Sequence, residues 1–524
     1  MTEVSATQPD YLTDPMVAAG CGMIVAFHAN QDPDRVAIMA EQGPNRTYGE
    51  LNARINQIAH LLRSHGLQPG DAVSLACTNR AEFAESLLAC FRTGLRVSPV
   101  NWHLTAAEMA YIVNDSESKV VFGDVRLTPE LTRVIQESPN VTLALSIGGD
   151  IPGFRNLDAT IEGLPTTNID NPVRGFEMLY TSGTTGYPKG VYREPVMSTS
   201  AVLRYADFVP GVDMSLCTGP LYHAAPLGID LMAALGKGIA VYLIDRWEPE
   251  KCLQLIEQRR ITHTHMVPTM FHRMLALPPE TRNKYDVSSL KFVIHGAAPC
   301  PVHVKEQMLE WFGDVIFEYY GATEGVGTLI TPDEWRRKPG AVGRAPAGMI
   351  IVDEESDKEL PAGEIGIIWI PVPAAGAFKY FKAEEKTEKA YRNGTHYSMH
   401  DMGWIDEDGW LFLSDRRSDL ILSGGVNVYP AEVDAALLKH PAVGDACTIG
   451  VPNLEWGQEV MSVIELKEGI AGSDELKTEI LEFCGEHLAK FKCPRTIEFM
   501  DALPRSDAGK IQRRKVRDIF APAS

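Results

Sequence analysis

The sequence predicts an α/β fold: a large N-terminal part of two βα subdomains plus a small β-rich one, followed by a small α+β C-terminal unit. Three observations predict it. Helix-start signals alternate with short apolar runs in the first third and again around residues 200 to 300, the rhythm of βα units wound on mainly parallel sheets. Gly and Pro become frequent between about 340 and 415, where strand candidates follow one another with little helix between them. From Arg416 onward, two amphipathic helical patterns are interleaved with strands. A length of 524 residues suits roughly three to four domain-sized units, and the boundary is placed to give residues 1–415 and 416–524.

The elements follow in order. Thr47-Tyr48-Gly49-Glu50 is a capping box, after which Leu51, Ile55, Ile58 and Leu62 recur at helical spacing until Gly66. Residues 72–76 form a short strand. A second capping box, Thr105 to Glu108, opens another helix, and Val120-Val121-Phe122 is the next buried strand. Phe176 to Tyr180 reads as a strand that feeds a Gly-rich loop. In the β-rich stretch the strands are residues 365–370 and 410–413, with one charged helix-like segment near Lys382 to Tyr391.

Composition narrows the function. Lys and Arg number 49 against 69 Asp and Glu, a net charge of −20, which argues against a nucleic-acid or anionic-membrane binder. The nine Cys contain no C-x-x-C pair, so reduced thiols of a cytoplasmic protein are expected rather than a disulfide framework or structural zinc. No signal peptide and no transmembrane segment is expected, since no stretch approaches about 20 apolar residues. The acidic balance reverses locally: residues 490–524 hold nine basic groups against four acids.

The strongest local signal is Tyr180-Thr181-Ser182-Gly183-Thr184-Thr185-Gly186-Tyr187-Pro188-Lys189-Gly190. Glycines let backbone N–H groups crowd an anion, hydroxyls donate hydrogen bonds and Lys189 adds a point charge, which together suit a polyphosphate. It is not a Walker A loop, because Lys189 follows Gly186 by three positions and precedes Gly190.

With this loop the chain resembles the adenylate-forming enzymes: acyl-CoA synthetases, aryl-CoA ligases, firefly-type luciferases and peptide-synthetase adenylation domains. The resemblance covers roughly residues 25 to 518 and rests on separated motifs in the family's order. They are Pro220-Leu221-Tyr222-His223, Gly296-Ala297-Ala298-Pro299, Tyr320-Gly321-Ala322-Thr323-Glu324, Asp401, Arg416, the run from Ser423-Gly424-Gly425 to Pro430, Trp456-Gly457-Gln458, and Pro504 through Gly509-Lys510.

The resemblance implies ATP, Mg²⁺ and coenzyme A as cofactors and a carboxylic acid as substrate. It places the phosphates on residues 181–186 and Lys189, and Mg²⁺ on Glu324, in keeping with a metal that takes one or two carboxylates. Tyr320 is expected to stack on the purine, Gly296, Ala297 and Ala298 to line it, and Glu318 to accept from its amino group, with Tyr319, Gly321 and Thr323 beside them. Asp401 would take the ribose diol, with Met399-His400 before it where relatives usually carry Thr-Gly. Arg416 would bind ribose and phosphate, with Asp415 in place of a glycine and Ser418 at the hinge position of a mobile C-terminal domain. Lys510 would stabilise charge on the phosphate under attack.

For the second half-reaction, Ser423, Gly424 and Gly425 leave room for pantetheine, while Trp456, Phe491 and Arg495 match CoA contacts. Lys492 and Arg495 would meet CoA phosphates, and Cys493 replaces an arginine of the pattern.

His223 is the expected gate beside the carboxylate. Ala224, Ala225, Gly325, Val326 and Gly327 leave room for a sizeable hydrophobic acid and offer no charged partner for an amine. The expected activity is an AMP-forming acyl-CoA synthetase acting on a fatty or steroid side-chain acid. Its alternatives are an aryl-CoA ligase and an enzyme loading a carrier protein. A luciferase-like oxygenase is not required by any motif, and a non-catalytic ATP or acyl sensor should have lost Lys510 or Glu324, both of which are present. The assembly is left between monomer and homodimer.

Overall fold

Six parallel strands make the first sheet, in the order Arg155–Asn156, Leu143–Ile147, Ser118–Asp124, Ala72–Ala76, Arg96–Pro99 and Phe176–Glu177. The computed structural model describes residues 9–181, 188–193, 205–297, 300, 302–353, 356–374, 377–413, 421–428, 430–467, 469–504, 511 and 513–521. Both capping boxes form as the sequence requires. Thr47 starts the helix Tyr48–Ser64 and Thr105 the helix Ala106–Asp115, each with Glu at the third position returning a carboxylate to the cap N–H.

The second sheet has eight strands: Gly325–Ile330, Ile316–Ala322, Phe292–His295, His263–Met266, Met214–Cys217, Ala240–Leu243, Val36–Ala40 and Arg46–Thr47. Its centre is parallel and its two edges are antiparallel. The strand Val36–Ala40 comes from the start of the chain, so the two α/β subdomains share the N-terminal segment. Helix Ala81–Arg92 is buried along its whole length and touches strands of both sheets. Its acid Glu85 is buried there between Arg46 and Arg54, at 2.7 and 3.0 Å.

The β-rich subdomain is a seven-stranded antiparallel sheet from Ala341 to Leu413, with the helix Glu384–Ala390 as its charged insertion. One expected strand divides. Residues 176–177 join the first sheet, whereas Leu179–Thr181 pairs with Lys189–Arg193 and, through it, with Phe378–Tyr380 in a three-stranded sheet.

The C-terminal unit is a five-stranded sheet whose central hairpin, Val443–Asn453 with Gly457–Leu466, is covered by helices Pro430–Leu437, Asp474–His487 and Arg513–Phe520. The expected boundary between 415 and 416 falls on residues outside the described ones. Ala489 and Phe491 leave this unit to pack on the apolar cluster of the first subdomain. All nine cysteines are free thiols. Among the described residues no helix is long and apolar enough to cross a membrane.

Candidate active site

A cavity of about 1690 Å³ lies where the subdomains and the C-terminal unit meet. Among the residues singled out in the sequence, Thr181, Lys189, His223, Ala297, Tyr319, Gly321, Thr323, Glu324, Asp401, Gly424, Gly425 and Phe491 line it, as do Tyr222, Ala224, Ala225, Val326, His400 and Lys492.

Glu324 sits in the two-residue turn of the hairpin formed by Ile316–Ala322 and Gly325–Ile330. The small three-stranded sheet converges on this turn. Tyr380 donates from its hydroxyl to Glu324 Oε1 at 2.9 Å, and Arg193 donates to the carbonyl of Thr323 at 3.0 Å. Lys189, directly across from Thr181 in the sheet, holds its ammonium 4.8 Å from the centre of the Tyr380 ring. Burial lowers the Lys189 pKa, with Lys386 adding to that and Glu324 opposing it. Burial likewise raises the Glu324 pKa, against Tyr380, Arg193 and Lys189. A cation and a carboxylate, each held at a cost in solvation, face one cavity, which is an arrangement suited to a charged ligand.

Two lining residues that are not glycine adopt left-handed backbone, Ala297 with φ of 65° and His400 with φ of 61°. Such strain costs on the order of 1–3 kcal/mol and concentrates at functional sites. His400 stands where the resemblance expects glycine, the residue that adopts this conformation freely, and its N–H is held by the Ser398 hydroxyl at 2.9 Å. The backbone turn is thus kept with an imidazole added beside Asp401. Asp401 is nearly buried and lines the cavity.

Strand alternation, interrupted by a register shift between Tyr320 and Gly321 that also brings Ala322 to the lining, decides which residues of Ile316–Ala322 reach the cavity. Tyr319 and Gly321 face it, while Glu318 and Tyr320 do not line it. Glu318 accepts from the buried Lys305 ammonium at 2.5 Å, and the Tyr320 ring packs in the core of the β-rich subdomain. Gly296 also lies off the lining and makes room for Tyr319: a Cβ there would stand 2.5 Å from Tyr319 Cε1.

The C-terminal unit brings Gly424, Gly425 and Phe491 into the cavity. Gly424 and Gly425 have φ of 60° and 81°, and a Cβ on Gly424 would stand 2.6 Å from Trp456 Cε3. The Trp456 ring is sandwiched there, with the Arg495 guanidinium 4.4 Å from its centre. Ser423, Trp456 and Arg495 lie off the lining. Lys492 corrects an expectation, because its ammonium is buried between Glu108 and Glu432 at 2.8 and 2.7 Å instead of being open to CoA phosphates. Two carboxylates in a site closed to water outcompete an external anion.

Ser182, Gly183, Thr184, Thr185, Gly186, Ala298, Arg416, Ser418 and Lys510 lie outside the described residues.

His223 lines the cavity with its side chain open to it, and the enclosing protein, with neighbouring His103 adding, lowers its pKa from the ordinary imidazole range. Sequence reasoning missed His265, whose only signal was the His-Thr-His run of a strand with no polar partner nearby in sequence. It also missed Trp102 and His103, which form an aromatic neck with Tyr222 and meet Phe491, and the mouth residues Arg126, Arg246, Trp247 and Arg273. These mouth residues come from three separate segments, and only folding gathers them.

The AMP-binding enzyme family matches residues 25–377, and the AMP-binding enzyme C-terminal domain matches 432–510. A fatty acid–[acyl-carrier-protein] ligase of Streptomyces coeruleorubidus is 31% identical over 94% of this chain and 95% of its own. A long-chain-fatty-acid–CoA ligase of Mycobacterium tuberculosis is 30% identical over 91% of this chain and 93% of its own. Among solved structures, a double mutant of o-succinylbenzoate CoA synthetase from Bacillus subtilis, bound with its product analogue OSB-NCoA, superposes with a TM-score of 0.80. It is 28% identical and covers 94% of this chain and 98% of its own. The chain belongs to the AMP-binding, adenylate-forming enzyme family. It is a ligase that uses ATP to activate a carboxylic acid for transfer to CoA or an acyl carrier protein.

Proposed function

We propose that the protein is an AMP-forming acyl-CoA synthetase that converts a hydrophobic acid, fatty or steroidal, to its acyl-adenylate with release of pyrophosphate and then to acyl-CoA. The observation that carries this reading is the single cavity on which Thr181, Lys189, Glu324 and Asp401 meet Gly424, Gly425 and Phe491 of the C-terminal unit. The first four residues suit phosphate, metal and ribose, and the last three suit a thiol acceptor.

Thr181 and Lys189 are assigned to the phosphates, Asp401 to the ribose and His223 to the gate beside the carboxylate. The donor set fits Mg²⁺, since Glu324 has one oxygen tied to Tyr380 and faces the phosphate hairpin, and magnesium completes its shell with phosphate and water. Bound there, the ion would neutralise charge on the phosphates. Keeping the acid out of water and aimed at the α-phosphate is the work of the cavity walls. By resemblance, Lys510 supplies a further cation to the phosphate under attack. The docked C-terminal unit, with Gly424 and Gly425 in the cavity, corresponds to the arrangement the resemblance assigns to thioester formation.

CoA is favoured as acceptor by the mouth. Arg126, Arg246 and Arg273 line it with Trp247; Arg273 stacks on the Trp247 ring, 5.2 Å from its centre, and Arg126 and Arg246, paired with Asp245 and Glu248 on the open surface, can exchange those partners for the phosphates of an adenine nucleotide. Loading a carrier protein is the second reading, supported by the Streptomyces relative.

An acid panel assayed for AMP release with and without CoA tests the reading. AMP turnover that requires both acid and CoA supports it, and turnover only with a loaded carrier protein favours the second. Lys510→Ala should slow pyrophosphate exchange by about 100-fold or more and spare thioester formation from preformed acyl-adenylate.

A further inference from the structure

We propose that the acid this enzyme activates carries an uncharged hydrogen-bonding group, a hydroxyl or carbonyl, on its tail, and that His265 and Tyr319 recognise it. The inference rests on the acid-activating reading above and narrows its substrate.

His265 and Tyr319 both line the cavity, on strands of the second sheet that flank Phe292–His295, and His265 Nε2 lies 3.2 Å from the Tyr319 hydroxyl. The surroundings belong to the acyl side. Tyr319 packs with Ala225 and Ile229 of the segment that follows His223, and Ala225, Gly228 and Ile229 line the same wall. A pocket for a plain hydrocarbon tail would be expected to be apolar here. Instead its wall holds an imidazole and a phenol.

The proton count of this pair is independent of tautomer. A neutral imidazole has one N–H and a phenol one O–H, and the hydrogen bond between them uses only one of the two. If Tyr319 donates to Nε2, the Nδ1–H of His265 is left over. If Nε2–H donates to Tyr319, the phenolic O–H is left over. Among the described residues no hydrogen bond forms to His265 Nδ1. The pair therefore always offers one donor and at least one acceptor, which water satisfies until a substrate displaces it.

The wall is also uncharged. Burial lowers the His265 pKa to about 3, with His223 adding to that, and the phenol stays protonated. Behind it, Asp230 is fully buried in the π-helical segment Pro226–Ala233. Its Oδ1 accepts the His265 backbone N–H at 2.8 Å and its Oδ2 has no partner among the described residues. Burial raises that carboxyl well above the usual range, and Asp230 lies off the cavity lining, so it does not face a tail amine. Asp230 fixes the backbone that aims His265.

Substrate discrimination follows from desolvation. An alkyl or aryl tail that covers the pair strips its water and leaves a donor unpaired, whereas a tail hydroxyl replaces that water. Sites built to hydrogen-bond a substrate group reject the analogue that lacks it far more strongly than apolar pockets reject a missing methylene.

The test uses the full-length enzyme and three matched acid pairs: decanoic and 10-hydroxydecanoic, 3-phenylpropanoic and 3-(4-hydroxyphenyl)propanoic, and 5β-cholanic and lithocholic. Activation is read as kcat/KM for acid-dependent AMP release. In at least one pair the hydroxylated acid should be preferred by about 10-fold or more. Tyr319→Phe, which keeps the ring, and His265→Phe should each bring that preference below about threefold, with the KM for ATP unchanged. The proposal is overturned if the unhydroxylated acids are used as well or better in all three pairs, or if the preference survives both substitutions. If none of the six acids yields AMP, the hydrophobic-acid reading proposed above fails and this inference fails with it. AMP release without a preference removes only the inference.

Discussion

Lys492 of the C-terminal unit holds its ammonium 2.8 Å from Glu108 Oε1, on the first helix of the N-terminal part that faces it. The other oxygen of Glu108 accepts the Thr105 N–H at 2.8 Å and completes that helix's capping box. One carboxylate therefore caps a helix and ties the two parts of the enzyme together. Glu432, 2.7 Å away on the C-terminal side, completes the triad.

Glu108→Ala should loosen docking. It leaves Lys492 paired only with Glu432 and also removes half of the capping box, a change worth about 0.5–2 kcal/mol for the helix alone. Acyl transfer from preformed acyl-adenylate should fall several-fold, while pyrophosphate exchange holds near wild type. Stopped-flow measurement of both half-reactions separates them, and an equal loss in both would refute a docking role.

Docking should depend on pH through Glu432. Burial raises its pKa to about 7, with Lys492 opposing and Glu108 adding to the rise. A raised carboxyl holds its proton in the docked state, so its contribution is complete below about 4.5 and is lost as pH rises through 7. Glu108 has the opposite sign. Its burial is outweighed by Lys492, its pKa is lowered, and its contribution is lost as pH falls below the ordinary carboxylate range. Acyl transfer should accordingly weaken above pH 7, and Glu432→Gln should flatten that alkaline limb. A profile of the transfer rate from pH 5 to 8.5 measures both.

Glu324→Gln removes a carboxylate from the phosphate side of the cavity. Pyrophosphate exchange should drop by about 100-fold or more. Tyr380→Phe removes the hydroxyl that donates to Glu324, a hydrogen bond worth about 0.5–3 kcal/mol, so a loss of a few-fold to about 100-fold is expected. A Tyr380→Phe enzyme slower than Glu324→Gln would contradict this order.

Gly296→Ala places a methyl 2.5 Å from the Tyr319 ring. The ring must move or the strand must shift, at about 1–3 kcal/mol. Thermal melting should register the loss, and kcat/KM for the acid should fall more than the KM for ATP rises.

Much of the fold could be read in the chain because its signals are local. Capping boxes at Thr47 and Thr105 and the strand at 72–76 need only neighbours within a few residues. Site residues were legible where a motif carried them: Lys189, Glu324, Asp401 and the Gly424–Gly425 pair all reach the cavity. Glu318 and Tyr320 were named beside Tyr319, yet a strand turns successive side chains to opposite faces, and only the pairing of Ile316–Ala322 decided which face met the cavity.

The sequence by itself determined the class of chemistry, because polyphosphate binding needs glycines, hydroxyls and a lysine close together along the chain. Tertiary structure alone decided how the remaining polar groups are used. Lys492 looked free to meet an anion until folding buried it between Glu108, 384 residues away, and Glu432. His265 had no visible role until the second sheet set it against Tyr319. Burial and partnership set the energy of a charge or a hydrogen bond, and both depend on residues remote in sequence that only the folded chain brings within 3 Å or so.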